Sequence, residues 1–107
     1  MVKLLKFIVP KNPKKLKIMA LHDGDKVAPW ETVMTIEGNL ADFIHLETVY
    51  LGILARRTKI ATNCSRAVEA ANGKPVLSFP SRFDEYTVQE GDGYAAKIGG
   101  MSNVSTP

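Results

Sequence analysis

A stretch of apolar residues at positions 40–54 limits the folds open to this chain more than any other segment. Asn39 before it is a typical helix N-cap, and Asp42 can bond back to the helix start as in a capping box. The apolar side chains that follow cover most of a helical circumference: Phe43, Ile44, Leu46, Val49, Tyr50, Leu51, Ile53 and Leu54. A helix that is apolar nearly all round is a buried one. It should therefore pack against more than one small sheet, which indicates a partner subunit or further sequence.

Arg56 and Arg57 interrupt this apolar run. A charge at such a position is costly unless it is paired or exposed. A second helix is predicted over residues 60–72, and one face carries its small and apolar residues: Ile60, Cys64, Ala67, Val68 and Ala71. Asn72-Gly73, with Pro75 soon after, is a helix stop signal. Residues 39–73 are thus predicted to be a helical, interface-forming segment.

Two strands are predicted before the helices. Residues 16–21 alternate between two faces, and residues 31–37 are rich in β-branched side chains. Between them, Asp23-Gly24 is a strong tight-turn signal, because glycine accepts positive φ without strain. Residues 26–28 indicate a further short strand, which Pro29 limits to an edge or a bend. Positions 1–38 are accordingly the predicted β portion of an N-terminal domain.

The remaining residues indicate the beginning of a second sheet. Residues 76–79 form a short apolar strand, a short helix is expected over 94–98 before Gly99-Gly100, and residues 102–106 begin another extended segment. This order is typical of the opening βα unit of a parallel sheet or barrel, and a whole barrel takes ~250 residues. The predicted fold class is α+β, with residues 74–107 as the start of an incomplete α/β barrel.

Composition and charge exclude several classes of protein. Hydrophobic residues make up 45% and charged residues 23% of the chain, as in ordinary globular proteins. The net charge of +3 is concentrated near the start, where a solvated face is favoured over a polyanion-binding patch; the lysines are Lys3, Lys6, Lys11, Lys14, Lys15 and Lys17. Neither nucleic-acid binding nor a membrane span is indicated. With Cys64 as the only cysteine, the expected location is the reducing cytoplasm.

Three stretches of the chain resemble the nicotinate phosphoribosyltransferase family and its quinolinate and nicotinamide relatives. The first runs from Asp23-Gly24-Asp25 to Ile36-Glu37-Gly38. The second runs from Glu47-Thr48 to Ile60-Ala61-Thr62. The third runs from Phe79-Pro80-Ser81-Arg82 through Gly99-Gly100 to residues 102–106. Pro80 stands where the family has glycine, and the basic start of the chain also departs from the family pattern.

The resemblance implies a type II phosphoribosyltransferase, which moves ribose 5-phosphate from phosphoribosyl pyrophosphate to the ring nitrogen of nicotinate. The product, nicotinate mononucleotide, enters NAD biosynthesis. The resemblance also implies Mg²⁺ in the complete enzyme, although this chain is predicted to bind none. The apolar helix predicts a homodimer or other association through residues 40–72. Without the rest of the barrel, the chain alone should be nearly inactive. Nicotinamide and quinolinate stay open as the base.

The resemblance assigns four residues to substrate binding: Phe79, Arg82, Ser105 and Thr106. Arg82 follows a predicted strand at its carboxyl end, where barrel enzymes build their sites, and its guanidinium can fork onto a carboxylate or phosphate. The alternative is a surface arginine paired with Asp84 or Glu85. Phe79 would stack on the pyridine ring, or else end its strand as a core residue. The hydroxyls of Ser105 and Thr106 would bond the pyridine substituent, or else be ordinary strand residues.

Arg56 and Arg57 are candidate cross-subunit residues, because similar helices of the quinolinate branch reach towards the partner's site. A solvated helix break is the favoured alternative. His45 and Cys64 are interpreted as packing residues. No catalytic residue and no metal ligand is assigned, and Gly91-Asp92-Gly93 lacks the strand that precedes a dinucleotide-binding loop.

Two functions of other classes stay open. The stretch from Asp23 to Glu37 also resembles half of a lipoyl or biotinyl hammerhead, a carrier domain modified on a lysine at a hairpin tip. Lys17 is not in a turn, however, and the long helices do not belong to such a domain. The other alternative is a non-catalytic interaction module that dimerises through its apolar helix.

Overall fold

The structure is a computed structural model that describes residues 16–105. Two sets of predictions lie outside the described residues: the role of Thr106, and that of Lys3, Lys6, Lys11, Lys14 and Lys15. The chain separates into two compact units, Met1–Leu54 and Ala55–Pro107. No helix within residues 16–105 is long and apolar enough to cross a membrane.

An antiparallel pair of strands forms the sheet of the first unit. Strand β1 (Lys17–Ala20) pairs with β2 (Met34–Glu37), and Ile18 lies opposite Ile36. Because side chains alternate along a strand, these two isoleucines share one face. They pack against the buried core, which among the described residues of this unit consists of Leu16, Phe43 and Leu46. Both predicted strands are confirmed, although β2 is shorter than predicted.

Two tight turns connect these strands. In the first, Asp25 N donates to His22 O over 3.1 Å, which confirms the Asp-Gly turn. In the second, Glu31 N donates to Ala28 O over 3.2 Å, and the Glu31 carboxylate accepts from Ala28 N over 2.7 Å. The strand predicted over residues 26–28 is wrong, because this turn uses the backbone groups that a strand would need.

Two short 3₁₀ turns, Leu40–Asp42 and Ile44–Leu46, precede the long helix α1 (Glu47–Ala70). Asn39 caps the first turn as predicted, since its side chain accepts a backbone N–H of that turn over 3.2 Å. A regular helix from the cap onwards is wrong. Phe43 has a φ of −136°, which is not helical, and it turns its ring into the core instead.

Helix α1 runs unbroken through Arg56 and Arg57, so the predicted break is wrong. Arginine favours helices, and both side chains have tertiary contacts: Arg56 is ion-paired and Arg57 lies beside Gly91. The helix stop is confirmed, because Asn72 and Gly73 take φ values of 48° and 84°. Within residues 16–105, α1 has no buried residue and each sheet has two strands, so burial of this helix by a partner subunit or further sequence stays a prediction.

The second unit contains a strand, a helix and a strand. Strands β3 (Leu77–Ser78) and β4 (Asn103–Val104) are parallel neighbours, and α2 (Tyr86–Ile98) connects them. The predicted strands and the Gly99-Gly100 stop are confirmed. Helix α2 is longer than the helix predicted over residues 94–98. It begins after the cap formed by Glu85, well before the residues on which the prediction was based.

Helices α1 and α2 approach each other closely in the second unit. On α2, Ala95 and Ala96 are only 3% and 1% exposed. A β-carbon at Gly99 would lie 2.5 Å from the carbonyl oxygen of Ala61 and 2.6 Å from Cβ of Cys64. This confirms that the small residues of the helical segment allow close packing.

Candidate functional site

The carboxyl ends of β3 and β4 meet at one edge of the parallel pair. Ser78 lies opposite Val104, so the residues that follow them, Phe79 and Ser105, are neighbours. Ser105 N donates to Ser78 O over 2.9 Å, which holds the two chain segments together at this edge. Phe79 is 67% exposed, so the interpretation of Phe79 as a core residue is wrong. Its ring is available at the edge where parallel-sheet proteins bind ligands.

Arg82 lies in the turn that follows Phe79. Phe83 N and Asp84 N both donate to Pro80 O, over 3.0 and 3.2 Å. This turn forces Arg82 to a φ of 76°, a left-handed conformation that is costly for a residue with a side chain. Its side chain is exposed, and no salt bridge to Asp84 or another described carboxylate holds it. The fork of guanidinium donors therefore stays available to an anion.

An open depression of about 380 Å³ lies beside α2 and β4 in the second unit. Its lining combines polar groups with one aromatic ring, and consists of Glu90, Gly93, Tyr94, Lys97, Asn103 and Val104. Lys97 Nζ donates to Ser102 O over 2.7 Å, which ties the end of the helix to the start of the strand. None of Phe79, Arg82 and Ser105 lines this depression. The structure brings Phe79 and Ser105 together at the strand edge, and Arg82 lies in the turn after Phe79.

Arg56 forms a bidentate ion pair with Asp92. Arg56 Nη2 lies 2.7 Å from Asp92 Oδ2, and Arg56 Nε lies 2.9 Å from Asp92 Oδ1. The Asp92 side chain is only 10% exposed, whereas that of Arg56 is half exposed. The hydrogen bonds and the charge of the carboxylate raise the pKa of Arg56. A buried carboxylate needs such a partner, and the pair fastens α2 to α1 in the second unit.

Sequence reasoning missed Asp92 as the partner of Arg56. The residue drew notice only as the middle of Gly91-Asp92-Gly93, and 36 positions separate it from the arginine. Local spacing carries no signal for such a contact, because the packing of two helices decides it. The cross-subunit role of Arg56 and Arg57 stays a prediction, and Arg56 would have to fill it from a position already bonded within its own chain.

Gln89 is a buried amide with one unsatisfied atom. It is 4% exposed, and Nε2 donates to Asp84 O over 2.7 Å. Its Oε1 accepts no hydrogen bond from any described residue. Buried acceptors in native proteins are nearly always satisfied, so Gln89 Oε1 is an exception among residues 16–105.

Histidine and carboxylate side chains do not gather into a metal site. No group of three or more His, Cys, Asp or Glu residues within positions 16–105 could hold a metal ion. His45 is exposed, so its interpretation as a packing residue is wrong: it lies on a 3₁₀ turn whose inward side chain is Leu46.

Cys64 should react slowly with thiol reagents. Burial raises the pKa of its thiol, and only the thiolate attacks. The neutral thiol is favoured in the folded state, so the stability that Cys64 contributes is present below the pKa of an ordinary thiol and is lost as pH rises through the raised pKa. Absorbance after addition of a disulfide reagent at pH ~8 measures the rate, with the same chain in urea as the control. Equal rates in both states would contradict this expectation.

A known protein family matches the first unit and the beginning of α1. Residues 3–58, just over half of the chain, match the family described as quinolinate phosphoribosyl transferase, N-terminal domain. The chain belongs to this family. The match includes β1, β2, the 3₁₀ turns and the Arg56-Arg57 pair. The resemblance to type II phosphoribosyltransferases that the motifs indicated is thereby confirmed.

Curated relatives extend the similarity further along the chain. The nicotinate phosphoribosyltransferase pncB1 of Mycobacterium tuberculosis, from strains CDC 1551 / Oshkosh and ATCC 25618 / H37Rv, is 31% identical over 83 residues. The aligned region covers 78% of this chain but 18% of the relative, so the chain spans less than a fifth of those proteins. No solved structure matches the chain.

The family match also bears on the carrier-domain alternative. The Asp-Gly-Asp to Ile-Glu-Gly stretch that suggested a hammerhead lies inside the matched residues. Lys17 lies within β1, where Lys17 Nζ is 3.2 Å from Glu37 Oε2, rather than at a hairpin tip. The phosphoribosyltransferase family accounts for this stretch and for the beginning of helix α1.

Proposed function

We propose that the chain is a segment of a nicotinate phosphoribosyltransferase. In the reaction, the ring nitrogen of nicotinate forms a bond to C1 of the ribose of phosphoribosyl pyrophosphate. The bond from that carbon to pyrophosphate breaks, and pyrophosphate leaves with the electron pair. Nicotinate mononucleotide is the second product. The family membership of residues 3–58 supports this class of reaction.

The choice of nicotinate as the base comes from the relatives. The family description names quinolinate, but the full-length relatives that align with 78% of this chain are named nicotinate phosphoribosyltransferases. Both bases are pyridine carboxylates, so both need a ring platform and donors for a carboxylate. Nicotinate is the base that we propose.

The single observation that carries the proposal is the parallel β3-α2-β4 unit with Phe79 and Ser105 at one edge. Parallel strands joined by a helix are the repeating unit of α/β barrels, whose sites lie at the carboxyl ends of the strands. There an aromatic ring can stack on a pyridine, and a serine hydroxyl can donate to its carboxylate. Two-stranded parallel sheets are not stable alone, so further strands of a barrel would complete this one.

Arg82 would supply charge at the same edge. It follows Phe79 by one turn, and no described carboxylate neutralises its exposed guanidinium. A planar fork of donors suits the carboxylate of the base or a phosphate oxygen. Magnesium, which the complete family enzyme is expected to use, would bring the charge that positions pyrophosphate. The carboxylates of residues 16–105 form no group to hold it, so we assign it no residue of this chain.

A homodimer through residues 40–72 is also proposed. Four apolar side chains of this region are between 42% and 58% exposed: Leu40, Ile44, Val49 and Leu51. Apolar surface of this kind marks an interface when it is contiguous. A partner subunit would cover these apolar side chains, which the chain itself leaves exposed.

A chimaera tests the proposed function. This chain would replace the homologous segment of the mycobacterial relative, and nicotinate mononucleotide would be measured with nicotinate, phosphoribosyl pyrophosphate and Mg²⁺. We expect turnover, and we expect Arg82→Ala to lower kcat/KM at least ~10-fold, because a charge-assisted bond to the substrate is lost. Lys74→Ala, which removes an exposed cation outside residues 40–72, is the matched control. An unchanged kcat/KM for Arg82→Ala would remove Arg82 from the site, and turnover by this chain alone would contradict its assignment as a segment.

A further inference from the structure

Gln89 is a buried polar side chain to which the proposed reaction gives no role. It lies in the first turn of α2 and is 4% exposed. Its Nε2 donates to Asp84 O over 2.7 Å, and its Oε1 accepts no hydrogen bond from any described residue. A buried acceptor without a partner destabilises the folded state. The second unit thus keeps an amide at a position where one of its two polar atoms is unfavourable.

The hydrogen bond of Gln89 does not cap the helix. Glu85 already does so, because its carboxylate accepts from Thr87 N and its carbonyl accepts from Val88 N, each over 3.2 Å. Gln89 bonds instead to the carbonyl of Asp84, which is five positions earlier and precedes the helix. The amide therefore connects α2 to the loop before it.

That loop is the turn that carries Arg82. Pro80 O accepts from Phe83 N over 3.0 Å and from Asp84 N over 3.2 Å. Asp84 is thus held at both of its backbone polar groups, at its N–H by the turn and at its carbonyl by Gln89. A continuous series of hydrogen bonds leads from the buried amide to the turn in which Arg82 lies.

Arg82 needs such support, because its φ of 76° is left-handed. A residue with a side chain keeps this conformation only where the surrounding structure holds it there. Residues 82–87 are exposed, so the hydrogen bonds of the turn, and not side-chain packing, must hold it. Without the bond from Gln89, the described contacts of the turn would be reduced to those at Pro80 O. The turn could then relax to a more common backbone conformation and redirect the guanidinium.

Stability does not explain why an amide occupies this position. Methionine has nearly the shape of glutamine and adapts to irregular spaces, so it would fill the same volume without an unsatisfied acceptor. Asp84 is exposed, so water can bond to its carbonyl when the amide is removed. Hydrogen bonds from buried neighbours are the usual means by which ligand-binding groups are held in place, and they are often present at a cost in stability.

We propose that Gln89 is a positioning residue that directs Arg82 towards the anionic group of the substrate. It acts by holding Asp84 O, and with it the turn of residues 80–84, against α2. Gln89 is buried, and we assign it no contact with the substrate itself. The proposal rests on the proposed function, because it takes Arg82 as the ligand of a carboxylate or phosphate.

The full chain tests the first step, the hold of Gln89 on the turn. The backbone N–H of Arg82 should have an NMR order parameter of ~0.85, that of a rigid backbone, and Gln89→Met should lower it towards ~0.6. The free energy of unfolding in urea should not fall, because the unsatisfied acceptor is removed as well. Lys74→Met, at an exposed cation outside α2, is the control and should leave the order parameter unchanged. An unchanged order parameter in Gln89→Met would overturn the proposal, and so would a marked loss of stability, since the amide would then serve the fold.

The chimaera described for the proposed function tests the second step, the action through Arg82. Gln89→Met should lower kcat/KM at least ~5-fold, since a small misplacement of a binding group is costly to the rate. Combined with Arg82→Ala, it should add less than ~2-fold to the loss from Arg82→Ala alone, because residues that act through one another are not additive. Losses that multiply would overturn the proposal. A chimaera without turnover before any substitution would contradict the proposed function instead, and the order parameter of Arg82 would still show whether Gln89 holds the turn.

Discussion

Replacing Gly99 by alanine should lower the free energy of unfolding by about 3 kcal/mol, near the upper end for an overpacked contact. The added β-carbon would lie 2.5 Å from the carbonyl oxygen of Ala61 and 2.6 Å from Cβ of Cys64. Both atoms belong to or adjoin the backbone of α1, so neither can rotate away. The two helices must separate to admit the methyl group. The φ of Gly99 is −71°, so the loss would be steric and not conformational.

Two other glycines provide controls within the same chain. Gly52 lies in α1, and a β-carbon added there would have no atom within 4 Å, so Gly52→Ala should stabilise the helix by ~0.5–1 kcal/mol. At Gly91 the new β-carbon would meet the end of the Arg57 side chain, which can move, so Gly91→Ala should cost much less than Gly99→Ala. Urea unfolding followed by circular dichroism measures all three. A Gly99→Ala loss no larger than that at Gly91 would contradict the close helix approach.

Replacing Phe43 by alanine should destabilise the first unit by about 3 kcal/mol, the lower end for a buried phenylalanine. Phe43 is 9% exposed and forms the core with Leu16 and Leu46. Phe43 is the largest of the three buried side chains among the described residues of this core, so its removal leaves a cavity at the centre of their packing. Amide hydrogen exchange would detect the loss as reduced protection of β1 and β2.

Ile44→Ala is the matched control, because Ile44 is next in the chain but 46% exposed. It should cost well under ~1 kcal/mol, as for most surface substitutions. If both variants lost the same protection, Phe43 would not be the core residue that the structure describes. Protection in the second unit should persist in either variant.

The residues of the candidate site differ in how far their positions could be predicted from the sequence. Phe79 and Ser105 were predicted to bind substrate from the family resemblance, within the predicted strands 76–79 and 102–106, whereas their neighbouring positions at one edge follow from the pairing of β3 with β4. Arg82 could be proposed as an anion ligand, but its positive φ arises from hydrogen bonds to Pro80 O that no local pattern announces. The Arg56–Asp92 pair joins residues from two helices, so its existence depended on how those helices pack.

Local chemistry in the sequence by itself determined the two strands, the Asp-Gly turn, the Asn39 cap, the stops at Asn72-Gly73 and Gly99-Gly100, and the phosphoribosyltransferase family. Each depends on neighbouring residues or on the order of motifs, and both are present in the sequence before the chain folds. Only the tertiary structure decided that α1 passes unbroken through Arg56, that Asp92 is buried beside it, and that Trp30 stands in solvent. Those outcomes depend on which residues, distant in the sequence, pair with a charge or cover an aromatic ring. Such contacts, and the balance of burial and hydrogen bonding between them, form only in the folded chain.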